Sequence, residues 1–281
     1  EKDGKLYGRG VEDDHQGLCS GVFAALYYIE NNLTPAYTVK LLFAADEENG
    51  SEYGMLWLMR EKKLFKKDDY ILIPDGGDEL GKTIEIAEKN IMWLSVDIKG
   101  QQSHGSTPNH GKNACLAGCD LALRINNLEN VFNKKDDMFS PDYSTFQPTK
   151  RAKNVDSINI IPGEDHLCFD CRILPCYTLA EVTAQVDKIC RDVEAKYGVT
   201  ISYTAPQKSE SPETSKDSPV AQKLAAAIRN AQGIEPEFIG IGGGTVAAEL
   251  RREGIDAAVW STLKNTCHQP NEYAVIENLI K

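Results

Sequence analysis

The stretch Thr38-Val39-Lys40-Leu41-Leu42-Phe43-Ala44-Ala45-Asp46-Glu47-Glu48-Asn49-Gly50 decides how the chain is read. Its first eight residues form a near-continuous apolar run, the pattern of a strand buried on both faces of a sheet. The run stops at a turn carrying two adjacent glutamates. Open α/β sheets place their ligands at the carboxyl ends of the strands, so Glu47 and Glu48 are aimed where a ligand belongs. Two neighbouring acids there can divide labour, one holding a metal while the other moves protons. A solvated acidic turn is the plain alternative. What argues against it is the recurrence of metal-type ligands beside other expected strands.

Residues 17–31 read as an amphipathic helix, with Leu18, Val22, Leu26 and Ile29 at helical spacing. Residues 52–61 look helical, and 69–73 form a short buried strand that ends at Pro74-Asp75-Gly76-Gly77. This alternation predicts a mostly parallel sheet covered by helices. From residue 91 the rhythm changes. Strands are expected at 91–98, 157–161, 167–174 and 200–204, with helices at 114–127 and 179–197 and a polar insertion or long loop over 128–151. The order βαββαβ fits a small α+β sandwich of ferredoxin-like type. A Ser/Pro-rich linker at 208–218 leads back to helices at 220–232 and 246–253 and a strand at 257–261. The fold class expected is therefore α/β, with a discontinuous catalytic domain (1–90 and 208–281) interrupted by an inserted α+β domain (91–207).

Composition bounds the function. The chain has 281 residues and a formal net charge of −11, which argues against a nucleic-acid or anionic-membrane surface. No run approaches the ~20 apolar residues that span a bilayer. The eight cysteines are scattered and read as reduced cytosolic thiols, so a cytoplasmic location is expected. Cys168 and Cys171 have CxxC spacing but sit in a strand, where residues three apart face opposite ways. Cys115 and Cys119 read as small core residues of a helix.

Carboxylates and an imidazole recur beside the predicted strands. Asp13 and Asp14 precede the first helix, Glu47 and Glu48 end one strand, Asp75 ends another, and His268 follows the last. Gathered at one sheet edge, such a set suits Zn²⁺, with Mn²⁺ and Co²⁺ as alternatives. Each acid alone reads equally as a turn residue or helix cap.

The ordered motifs are more specific. Leu6-Tyr7-Gly8-Arg9-Gly10-Val11-Glu12-Asp13, Asp46-Glu47-Glu48, Pro74-Asp75-Gly76 and Gly100 through His104 to Pro108 come first. Asn159-Ile160-Ile161-Pro162-Gly163, Gly242-Gly243-Gly244-Thr245 and His268-Gln269-Pro270-Asn271-Glu272 follow. In this order they resemble the acetylornithine deacetylase / succinyl-diaminopimelate desuccinylase family of dinuclear zinc hydrolases, which also holds aminoacylase, carboxypeptidase G and several dipeptidases. The resemblance implies that Asp13 bridges two metal ions, that Glu48 and His268 complete one site, and that Asp75 belongs to the other. Glu47 would be the general base acting on the nucleophilic water, and His104 the donor to the tetrahedral oxyanion, often reaching across a dimer. Asn159, Arg172, Gly244 and Thr245 match positions that contact substrate. Arg172 suits a carboxylate because a guanidinium binds one bidentately; a strand salt bridge is its plain alternative. His110 and His166 read as structural, and His15 is left open.

The match is incomplete. The family carries a further histidine ligand in a His-x-Asp motif ahead of the Gly-Arg-Gly signature, whereas this chain has no histidine before Asp13. An absent N-terminal segment is the expectation, leaving the catalytic domain incomplete. Val246 follows Thr245 where many relatives carry Asp. The function implied is metal-dependent cleavage of the amide bond of a small N-acyl amino acid, by a homodimer formed through the inserted domain. A dipeptidase or exopeptidase of the same family, a non-catalytic dimerising pseudoenzyme and, more remotely, a nucleotide-binding protein remain as alternatives.

Overall fold

A computed structural model describes residues 1–280 and separates the chain into two units. The first comprises Glu1–Ala87, Pro212–Gly240 and the chain from Thr245 on; the second comprises Glu88–Ser211 and Ile241–Gly244. The first unit opens with β1 (Lys5–Tyr7), α1 (Gln16–Glu30), α2 (Met55–Lys62), β2 (Ile71–Asp78) and β3 (Thr83–Glu88). Next come β4 (Asn90–Lys99), β5 (Ser103–His104), α3 (Ala114–Asn126), β6 (Thr145–Arg151), β7 (Ile160–Ile161), β8 (Glu164–Ile173), α4 (Leu179–Tyr197) and β9 (Thr200–Ser209). The return supplies α5 (Pro219–Gln232), β10 (Glu237–Ile241), α6 (Ala247–Arg252), β11 (Ala257–Thr262), β12 (Tyr273–Val275) and α7 (Ile276–Ile280).

The first unit is mixed α/β. Its main sheet runs β10-β3-β11-β2, with β11 parallel to β2 and antiparallel to β3. Ala257 and Val259 of β11 pack with Met55, Ala247, Leu250 and Ile255 in the core of this unit. A second ladder pairs β1 with β12 and so joins the start of the Gly-Arg-Gly loop to the end of the His268 loop.

In the second unit the sheet order is β6-β8-β4-β9, antiparallel throughout. Alternation along β4 and β8 buries Met92, Leu94, Val96, Ile98, Leu167, Phe169, Cys171 and Ile173. These pack with Leu121 and Ile125 of α3 and Val182, Val186 and Val193 of α4. Burying each large aliphatic or aromatic side chain contributes about 1.5–3 kcal/mol. Helix α4 is closed at both ends, by a Thr178–Glu181 capping box and by Gly198 at φ 68°.

Several expectations need correction. Residues 38–46 are irregular, not a strand. Apolar character marks a strand only where a neighbour completes the ladder, and none among the described residues pairs with this segment. Leu18, Leu26 and Ile29 of α1 stay exposed, because periodicity finds an apolar stripe without saying what covers it. The stretch 128–151 is not all loop, since β6 occupies its end as an edge strand. Only Ile160 and Ile161 of the expected strand 157–161 pair, and their partners are His104 and Ser103. Cys115 is half-buried and Cys119 exposed; Ala114, Ala117, Gly118, Leu121 and Ile125 hold the buried face of α3 instead.

Candidate metal centre

Two loops and one turn of the first unit bring Asp13, Glu48 and His268 together. His268 Nε2 lies 2.9 Å from Asp13 Oδ2 and 2.9 Å from Glu48 Oε1, and one ligand atom from each residue falls within 4.8 Å of the others. Local backbone explains the convergence. Asp13 sits in the irregular turn between Gly10 and the start of α1. Glu47 and Glu48 occupy a single 3₁₀ turn bracketed by Asp46 (φ 71°) and Gly50 (φ 89°). Asp46 ties that turn, its carbonyl accepting from Ser51 N at 2.8 Å and its carboxylate from Tyr53 N at 2.9 Å. Gly54 is required there, since a Cβ would fall 1.8 Å from the Ala45 carbonyl oxygen. His268 has φ 59°, and Asn265 and Asn271 share the left-handed region, a conformation uncommon outside glycine.

Electrostatics draw the remaining acids into the same region. Burial first, and then the charges of Asp14, Asp13, Glu47 and Glu48, push the Asp75 carboxyl up to about 8. Burial likewise raises Asp14 to about 7, against the N–H of Gly17, which donates to it at 3.0 Å. The charge of Glu48 and a hydrogen bond to it raise the His268 imidazole against the opposing effect of burial, and Asp13 adds less. Asp75 lies outside the tight trio. Donor chemistry and charge both fit a divalent cation: two carboxylates and an imidazole share one position, and crowded acids nearby resist ionising without one.

Glu12 and Glu272 were not picked out from the sequence as functional. Both are almost wholly buried and bond the backbone of the Asp13 and His268 loops. In the sequence they stand inside the Gly-Arg-Gly and His-Gln-Pro-Asn-Glu motifs, one directly before Asp13 and the other four residues after His268.

The second unit holds His104, Asn159, Arg172 and Gly244. His104 Nδ1 accepts from Ser106 N at 3.2 Å and lies 2.8 Å from Ser106 Oγ, while Nε2 is 3.3 Å from Asn159 Nδ2. Arg172 donates to both oxygens of Asp170, at 2.7 and 3.0 Å, and to the Gly242 carbonyl at 2.7 Å. Gly244 lies near Ile91 and Glu88. Thr245, in the first unit, accepts from Ala247 N at 3.1 Å, at the start of α6.

A model of peptidase family M20/M25/M40 matches residues 1–281. An uncharacterized metallohydrolase of Methanocaldococcus jannaschii is 42% identical over all of this chain and 71% of that protein. A succinyl-diaminopimelate desuccinylase of Sulfurimonas denitrificans is 25% identical over 97% of this chain and 72% of that protein. Among solved structures, a tripeptidase from Staphylococcus aureus superposes with a TM-score of 0.79 at 20% identity, over 100% of this chain and 71% of that one.

Proposed function

The chain belongs to peptidase family M20/M25/M40, and we propose that it is a zinc-dependent hydrolase that cleaves the amide bond of a small N-acyl amino acid. The observation that carries the reading is the meeting of Asp13, Glu48 and His268 at one point, with Glu47 next in sequence to one of the three. Asp13, Glu48 and His268 would hold one ion, and Asp13 and Asp75 would serve a second. Such ions lower the pKa of bound water towards ~7 and polarise the scissile carbonyl.

The protein's own groups supply the rest. Glu47 takes a proton from the attacking water and returns it to the leaving amine. His104 donates to the oxyanion that develops on the carbonyl. Arg172, held by Asp170 and the Gly242 carbonyl, keeps unshared N–H groups for a substrate carboxylate. The second unit serves as lid and as the contact of a homodimer.

Hydrolysis of N-acetyl and N-succinyl amino acids and of dipeptides, assayed with added Zn²⁺, tests the proposal. N-acyl amino acids should be cleaved, and a chelator should abolish turnover. Glu47→Ala should lower kcat by about 10²–10⁴-fold, the usual contribution of a general base. Turnover that survives both chelation and Glu47→Ala would overturn the reading, and cleavage of dipeptides alone would move it to the peptidase branch of the family.

A further inference from the structure

Glu12 and Glu272 expose 2% and 3% of their surface, and burying a carboxylate is costly unless hydrogen bonds compensate. Here each carboxylate is spent on the opposite ligand-bearing loop. Glu12, beside Asp13, accepts from Lys264 N, from Thr266 N and from Thr266 Oγ1 at 2.7 Å. Those donors lie on the segment that leads into His268. Glu272, on the far side of His268, accepts from Gly10 N at 3.1 Å, Glu12 N at 3.1 Å, Asp13 N at 3.2 Å and Arg9 Nη1 at 2.8 Å. The amide of the ligand Asp13 is thus itself held by the His268 loop.

The exchange is reciprocal. Each loop contributes one buried acid and receives the other's, although the partners stand 252 to 263 residues apart in sequence. Asp13 and His268 ride on irregular backbone, which secondary structure does not fix. Three left-handed residues around His268 also need outside support to persist.

We propose that Glu12 and Glu272 are paired positioning residues that set the separation and orientation of Asp13 and His268, and thereby the affinity of the site for a divalent cation. The inference rests on the metal-site reading above. Outer groups that orient metal ligands typically govern 10–100-fold of metal affinity. A glutamine at either position retains one accepting oxygen and turns an NH₂ group towards backbone N–H donors, so the loop it holds is released.

The test is competition for Zn²⁺ against a chromophoric chelator, together with the visible spectrum of the Co²⁺-loaded protein. The wild type would be compared with Glu12→Gln, Glu272→Gln and Asp13→Ala. Both glutamine variants should bind Zn²⁺ about 10–100-fold more weakly and show an altered Co²⁺ spectrum. A merely structural role lowers the melting temperature but leaves the spectrum and affinity of the folded protein unchanged, and that result overturns the inference. Should Glu12→Gln fail to fold, Thr266→Val removes one of its donors. Weaker Zn²⁺ binding in that variant supports the proposal, and wild-type affinity contradicts it. A wild-type chain whose Zn²⁺ affinity equals that of Asp13→Ala would instead refute the metal site itself.

Discussion

Arg172 shows how one side chain can combine structure and recognition. Asp170 takes its guanidinium bidentately, which spends part of its charge yet fixes its plane. A fixed fork loses little freedom when a carboxylate docks on the remaining N–H groups. Arg172→Met should raise KM for acyl amino acids by about 10–100-fold, the equivalent of losing one charged hydrogen bond of ~1.5–3 kcal/mol. Steady-state kinetics on the zinc-loaded protein check this, and an unchanged KM would leave Arg172 as a strand salt bridge. At this scale Asp13, Glu48 and His268 were legible because each stands in a motif beside an expected element: ahead of a helix, at the end of an apolar run and after a strand. Glu12 and Glu272 were not, because an acid reads the same whether it faces water or the backbone of a loop some 250 residues away.

Asp120 of α3 accepts from Arg124 one turn on, at 2.9 Å, and from Lys196 of α4 at 2.8 Å. These bonds, that to Lys196 foremost, hold its carboxyl down to about 2, below the unfolded value of about 3.9. A depressed carboxyl contributes stability that is present above the unfolded value and is lost as pH falls through the folded one. The melting temperature should therefore decline between about pH 4 and pH 2, and Asp120→Asn should decline less over that window. Equal slopes in a pH series of thermal melts would show that the pairing contributes nothing. The same helices were the best-read elements. α4 spans the predicted 179–197 because Thr178, Glu181 and Gly198 mark its ends locally. Edge strand β6, with Thr145-Phe146-Gln147-Pro148-Thr149-Lys150-Arg151, buries only Phe146. A strand with one buried residue carries almost no hydrophobic signal.

For the molecule as a whole, mixed α/β architecture followed from the alternation of expected strands and helices, and membership of a metallohydrolase family from the order of its motifs, properties no single residue holds. Among the described residues no helix is long and apolar enough to cross a membrane. That the apolar run at residues 38–45 finds no partner strand among the described residues was not legible, since strand pairing is decided by neighbours distant in sequence. The most direct measurement is anomalous diffraction at the zinc edge from crystals of the protein grown with Zn²⁺. A peak about 2.0–2.2 Å from Asp13, Glu48 and His268 donor atoms, the usual range for nitrogen and oxygen ligands, is the expected result. Zinc that leaves this position empty, or that settles only at surface cysteines such as Cys119, would contradict it.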